Sequence, residues 1–544
     1  MKQTSPYTPF EFEFPYSSQR MPVFAKNVVA TGQPLAAEAG LSMLRLGGNA
    51  MDAAVAAAMT LTVVEPTSNG IGADAFALIW AGGGLHGLNA SGRSGRVMPE
   101  HYFMGKERVP LRGWDPVTTP GAVSAWVEIN KRFGALPLTT VAGPAIHYAR
   151  HGFLVSPLTG GGWRGSAARG YSKDEFPEWH KTFAPEGRGP ATGELFYMKN
   201  HADTLEEIAN TGGESFYRGK LAEQIVSASK AGGGFLRKED LAAHHADWVR
   251  PISIDYHGFT LHEIPPNGQG LAALIMLGIL RHLDIEKLGV DSVESLHLQI
   301  EAMKLAFADG HRYIADPEYM DVSVDDLLND DYLLSRAQMI DRSHAQDFKH
   351  GTPKEGGTVY LTTADEHGNM VSYIQSNYTG FGSGIVIPDT GIAMQNRGGC
   401  FVTEVGHPNE AGPGKRPYHT IIPGFVTRKD GDGQDEPVMS FGVMGGYMQP
   451  QGHAQVLLRI ADYHQNPQAA LDAPRWQVTT GVEVVIEPGF DADVYEKLKS
   501  MGHDVRQARE RTVYHGRGQI AWRLREGEYL AASDLRADGL AVGF

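Results

Sequence analysis

The stretch Ala50 to Val64, "AMDAAVAAAMTLTVV", constrains the fold more than any other part of the chain. It is apolar on every side, and a helix with no polar face is buried. It is also shorter than the ~20 residues a membrane-spanning helix needs. The sequence before it reads as a helix, a Gly-Gly stop and an Asn-Ala-Met-Asp start. A second buried helix, "GLAALIMLGIL", follows the turn around Pro265. "TLEEIANTGGESFY" and "KLAEQIVSASKAGG" read as amphipathic helices ending at glycines, and "VESLHLQIEAMKLAFADGHRYI" as another. The first two-thirds of the chain is therefore expected to be mainly helical.

"RSHAQDFKHGTPKEGG", Arg342 to Gly357, is polar and lacks periodicity, so it reads as an exposed, mobile linker. From Thr358 the texture turns to β: "TVYLTTAD", "MVSYIQSN", "GIVIPDTGIAMQN", "TIIPGFVTRKDGDGQDEPVMSFGVMGG" and "GVEVVIEPG". One helix, "GHAQVLLRIADYH", interrupts them.

The 544 residues are 42% apolar and 20% charged, an ordinary soluble composition. A net charge of −15 without a basic tract disfavours nucleic acid and anionic membranes as partners. The single cysteine, Cys400, rules out an intrachain disulfide. Acidic residues and prolines stand near the start where a signal peptide would carry its apolar run, so a cytoplasmic location is expected. No cofactor and no metal site is expected. His297 and Glu301 share a helix face but have no third ligand motif. "HHAD", His244 to Asp247, reads as a solvated loop, and "DGDGQDE" as a hairpin turn, because Phe441 stands where a calcium loop needs glutamate.

The hairpin that begins at the linker's end opens on Gly-Gly-Thr. Thr358 is either an ordinary first strand residue or a new N-terminus left by a cut after Gly357. The second reading carries chemistry. A threonine hydroxyl needs a base. An α-amine with a pKa of ~7.7–8.0 on the same residue supplies one. Before the cut, the hydroxyl can attack the Gly357 carbonyl, and the resulting ester hydrolyses. Glycine tolerates the backbone strain of that attack. In "GVMGGYMQPQG" the N–H groups of Gly445 and Gly446 are candidates for an oxyanion hole, against the plainer reading of a Gly-Gly turn.

Ordered blocks over most of the chain resemble the γ-glutamyltranspeptidases, which are N-terminal-nucleophile (Ntn) hydrolases. They include "GGNAMDAAVAAAMTLTVVEPTSNGIGADAFALIW", "IPPNGQGLAALIMLGIL", "EAMKLAFADGHRYIADPEYM", "GTVYLTTADEHGNMVS" and "GPGKRPYHTIIP". The sequence is most similar to the bacterial glutathione hydrolase-like branch, with oxamate amidohydrolase and some cephalosporin acylases as relatives. The resemblance implies an α+β fold, the αββα four-layer sandwich with two stacked antiparallel sheets between helical layers. It also implies cleavage before Thr358 into a helix-rich large subunit, 1–357, and a β-rich small subunit, 358–544. The two build one intertwined heterodimeric unit, and pairing of such heterodimers is left open. Thr358 is then the nucleophile, Ser376 the second hydroxyl beside it, and Gly445 and Gly446 the oxyanion glycines.

The family's substrate-pocket positions depart from its pattern in one direction. The arginine that binds the γ-glutamyl α-carboxylate falls on Arg93. The aspartate that binds the ammonium is replaced by Cys400, a glutamine by Arg397, an asparagine by Tyr378, and a serine pair by His419 and Thr420. An anion is lost and a cation gained. The expected substrate is the amide of an acyl group with a carboxylate and no ammonium, oxamate-like or glutaryl-like. γ-Glutamyl transfer or glutathione hydrolysis is the alternative, and an unprocessed binding scaffold a third. The loop "VTEVGHPNEAGPG", Val402 to Gly414, looks shorter than in lidded relatives, so hydrolysis should compete well with transfer.

Overall fold

A computed structural model describes residues 10, 15–17, 20–348 and 357–544. Two seven-stranded sheets form its centre. In the first, the strands run Leu540–Gly543, Val28–Thr31, Gly357–Ala364, Met370–Tyr378, Asp74–Ala81, Gly84–Ala90 and Asp247–Val249, with every pair antiparallel. In the second they run Val23–Ala25, Glu528–Ser533, Arg517–Arg525, Asp435–Met444, Gly424–Lys429, Phe259–Glu263 and Ile252–Tyr256, again antiparallel throughout.

The period-two alternation of one strand shows how the layers stack. Val359 and Leu361 join the core formed with the Ala50–Val64 helix. Tyr360 and Ala364 point the other way, into a core between the sheets that includes Phe76, Ile374, Phe425, Met444 and Tyr529. The fold is thus the four-layer αββα sandwich. The Ala50–Val64 helix is buried along all 15 residues. Asn49 caps its start, and the Asp52 carboxylate accepts from the N–H groups of Asn49 at 3.1 Å, Ala135 at 2.9 Å and Leu136 at 3.2 Å. On the far side, the fully buried Gly270–Leu280 helix shares a core with Val293–Tyr313, Met448–Ala461 and the second sheet.

Facing contacts set the register of the two sheets. Thr362 Oγ1 lies 2.5 Å from Ser440 Oγ. Gly442 leaves room for the Tyr360 ring, which a Cβ there would meet at 2.4 Å. Arg517, the ladder partner of Met444, reaches the Thr358 carbonyl across the same face.

Several expectations need correction. Half of the fourteen strands in the large sheets precede Thr358, so the first two-thirds is not mainly helical. "DAFALIWA" is covered on both faces and therefore lacks the alternation that marks a half-buried strand. After Thr358, Pro467–Asp472 and Ala492–Ser500 are also helices. "GIVIPDTGIAMQN" forms only isolated bridges, and "GVEVVI" joins a separate three-stranded sheet. The linker is anchored as far as Phe348. Ala345 N–H donates to the Met501 carbonyl at 2.7 Å, Gln346 N–H to Glu301 at 3.1 Å, and Phe348 packs on the second core. The rest of that stretch, 349–356, lies outside the described residues. Within "HHAD" His245 is exposed, but His244 is half-buried, its ring stacked on Tyr217 and its Nε2 3.0 Å from Ser124 Oγ. Among the described residues no helix is long and apolar enough to cross a membrane.

Candidate active site

Thr358 is buried as the second residue of its strand. The pairing slips at this point: Gly357 opposes Tyr378 while Val359 opposes Gln375. Ser376 and Asn377 therefore face Thr358 two against one, a bulge that re-aims side chains. The Thr358 hydroxyl donates to Ser376 Oγ at 3.3 Å, and Ser376 Oγ also accepts from the Tyr378 N–H at 2.8 Å. The Thr358 carbonyl accepts from Arg517 Nη2 at 2.8 Å. Arg517 is held by the buried Glu65 at 2.7 Å and is the ladder partner of Met444. Burial pushes the Glu65 carboxyl up, and Arg517 pulls it back.

That link brings Gly445 and Gly446 to the Thr358 end of the sandwich. Their φ angles are 137° and 62°, a conformation that favours glycine. Their carbonyls turn away, accepting from Met448 N–H at 3.1 Å, Gln449 N–H at 3.2 Å and, on Gly446, Gln269 Nε2 at 2.9 Å. Among the described residues neither glycine's own N–H has a partner, so both are free to donate.

The side chains expected to hold substrate divide into two groups. Arg397 is fully buried. Its Nη1 donates to Thr420 Oγ1 at 2.7 Å and lies 3.9 Å from Cys400 Sγ, and its guanidinium sits 4.9 Å from the centre of the Tyr378 ring. Its Nε and Nη2 have no hydrogen-bond partner among the described residues. Burial pushes the Cys400 thiol up, so it is neither an anion for an ammonium nor a ready thiolate. Tyr378 holds a positive φ of 78°, which turns its ring beneath Arg397. Arg93 belongs elsewhere. Its guanidinium, 35% exposed, is taken by Asp316 at 2.6 Å, the Gly414 carbonyl at 3.0 Å and Glu318 at 3.4 Å.

Three charged residues went unread in the sequence: Glu65, Arg517 and Asp74. Asp74 opposes Ser376 in the sheet, and its Oδ2 lies 3.7 Å from Arg397 Nε and 3.1 Å from His419 Nε2. Burial pushes its carboxyl up to about 7, against the pull of Arg397. Burial, with Arg397 and Arg416 nearby, holds His419 well below the usual imidazole range, so it is neutral. His419 Nδ1 accepts from the Ile421 N–H at 3.4 Å, which leaves the proton on Nε2, donated to Asp74. The available signal was a lone acid in an apolar context, as in "TVVEP" and "ADAFALIW".

His297 and Glu301 do gain a third potential metal ligand, His503, with ligand atoms within 4.8 Å of one another. The Lys304 ammonium, however, pairs with Glu301 Oε1, where a cation would bind. His297 Nδ1 and His503 Nε2 satisfy each other at 2.8 Å.

The family model for Gamma-glutamyltranspeptidase matches residues 36–544. The chain is 35% identical over 526 residues to the glutathione hydrolase-like YwrD proenzyme of Bacillus subtilis, covering 95% of this chain and 98% of that protein. It is 34% identical over 522 residues to the oxamate amidohydrolase proenzyme of Klebsiella pneumoniae, covering 94% and 97%. Among solved structures, a cephalosporin acylase from Bacillus halodurans superposes with a TM-score of 0.92 at 50% identity, covering 98% of each chain.

Proposed function

The chain belongs to the γ-glutamyltranspeptidase family and is a hydrolase of amides, and from that premise we propose that it cuts itself between Gly357 and Thr358 and then hydrolyses the amide of an acyl group bearing a carboxylate and no ammonium. The observation that carries the substrate reading is Arg397, a buried guanidinium whose Nε and Nη2 have no hydrogen-bond partner among the described residues, beside a neutral thiol. A carboxylate can accept from both nitrogens, whereas a substrate ammonium would meet a like charge whose nearby anion, Asp74, already faces Arg397 and His419. Arg397, rather than the outward-held Arg93, then anchors the acyl group. The relatives named as an oxamate amidohydrolase and a cephalosporin acylase support an acyl group of the oxamate or glutaryl kind.

In the first step Thr358 Oγ attacks the Gly357 carbonyl. The C–N bond breaks as an ester forms, the nitrogen takes the proton and becomes the free Thr358 amine, and water hydrolyses the ester to release the Thr358 hydroxyl and the Gly357 carboxylate. In turnover that amine takes the hydroxyl proton, Oγ attacks the substrate carbonyl, and Gly445 and Gly446 N–H groups hold the oxyanion. The leaving amine departs with a proton, and water releases the acid.

The test compares kcat/KM for oxamate, glutaryl-p-nitroanilide and γ-glutamyl-p-nitroanilide, with and without glycylglycine as acceptor. The carboxylate-only substrates should win, with little transfer product. Faster turnover of the γ-glutamyl compound would overturn the substrate reading.

A further inference from the structure

We propose that Asp74 is the resident counter-ion of Arg397, and that the Asp74–His419 pair takes up one proton from solvent when an acyl carboxylate binds that guanidinium. The inference rests on the reading of Arg397 as the carboxylate anchor and adds the cost of using it.

Asp74 reaches its site from the strand that pairs with the Ser376 strand. Every charged or titratable group facing it can be named. Arg397 comes from the turn Arg397–Cys400, at 3.7 Å, a charge contact too long for a hydrogen bond. His419 donates to Oδ2 at 3.1 Å. Arg416 lies nearby but spends its guanidinium on Asp247 at 2.6 Å and the Ser91 carbonyl at 3.0 Å. Cys400 and Tyr217 are buried and neutral, each pushed up by burial. Backbone N–H groups complete the shell, Gly92 at 3.4 Å among them.

Arg397 and Asp74 therefore cancel in a dry site. A substrate carboxylate accepting from Nη2 and Nε, which have no hydrogen-bond partner among the described residues, sets two anions against one cation, and a like charge so placed raises proton affinity. Burial already brings the Asp74 carboxyl up to about 7, so a further rise draws in a proton at neutral pH. The proton belongs to the coupled pair Asp74–His419. Because the complex holds a proton that the free protein lacks above about pH 7, carboxylate binding weakens as pH rises.

Titration calorimetry of the mature protein with glutarate and with oxalate, which carry no amide to cleave, reads this directly. At pH 7.5, buffers of different ionisation enthalpy should report net proton uptake, and Kd should weaken on the order of tenfold between pH 6 and 8.5. Asp74→Asn should abolish both the uptake and the pH dependence while still binding glutarate. No uptake in the parent protein overturns the proposal without need of a variant, as does uptake that persists in Asp74→Asn. Arg397→Met separates the two readings. If it binds both probes as the parent does, or if the parent binds neither, the anchor reading falls. If it loses binding while Asp74→Asn keeps the uptake, only the role of Asp74 falls.

Discussion

Around Thr358 each neighbour acts on a different atom. Ser376 accepts from the hydroxyl, Arg517 fixes the carbonyl, and the bulge sets Ser376 and Asn377 against Thr358. Replacing Ser376 by alanine removes the hydroxyl's partner in a buried site. Both self-cleavage and turnover should slow by about tenfold, the worth of one neutral hydrogen bond, and Ser376→Thr should restore most of the loss. A cleavage time course with steady-state kinetics checks this; unchanged rates would leave Ser376 a mere strand residue. Chemistry at this scale was partly legible. Gly-Gly-Thr and the later Gly-Gly are short motifs whose proposed roles follow from what the residue types can do. Asp74 and Arg517 were not legible, because their partners arrive from segments hundreds of residues away and neither spacing nor type announces the pairing.

The Ala50–Val64 helix shows the same division between what the sequence states and what packing decides. Its burial followed from a missing polar face, and its start from Asn49. The one charge in its first turn reads as part of that start. The structure gives Asp52 a second use, tying the Ala135–Leu136 turn to the helix end. Asp52→Ala leaves three N–H groups without their acceptor and should cost about 1–3 kcal/mol, read as a lower denaturant midpoint at unchanged slope. An unaltered midpoint would show that water replaces the carboxylate. Strands were less legible than helices. Those covered on both faces read as plain apolar runs, and "GIVIPDTGIAMQN" has strand-like residues but no ladder partner for them.

Over the whole molecule, each sheet takes strands from both sides of residue 358, and Thr358's own strand sits between Val28–Thr31 and Met370–Tyr378. Two pieces made by a cut there would remain bound through two shared sheets. No periodicity revealed that layering; the likeness to a known family supplied it, because strand order depends on long-range pairing that local pattern does not encode. The account as a whole depends on the bond between Gly357 and Thr358. Intact mass spectrometry of the purified parent protein beside Thr358→Ala, with amidase activity on the same samples, tests it most directly. The account predicts two fragments meeting at Gly357 and Thr358 in the active parent, and one uncut, inactive chain in the variant. An uncut parent with full activity, or an active Thr358→Ala, would contradict it.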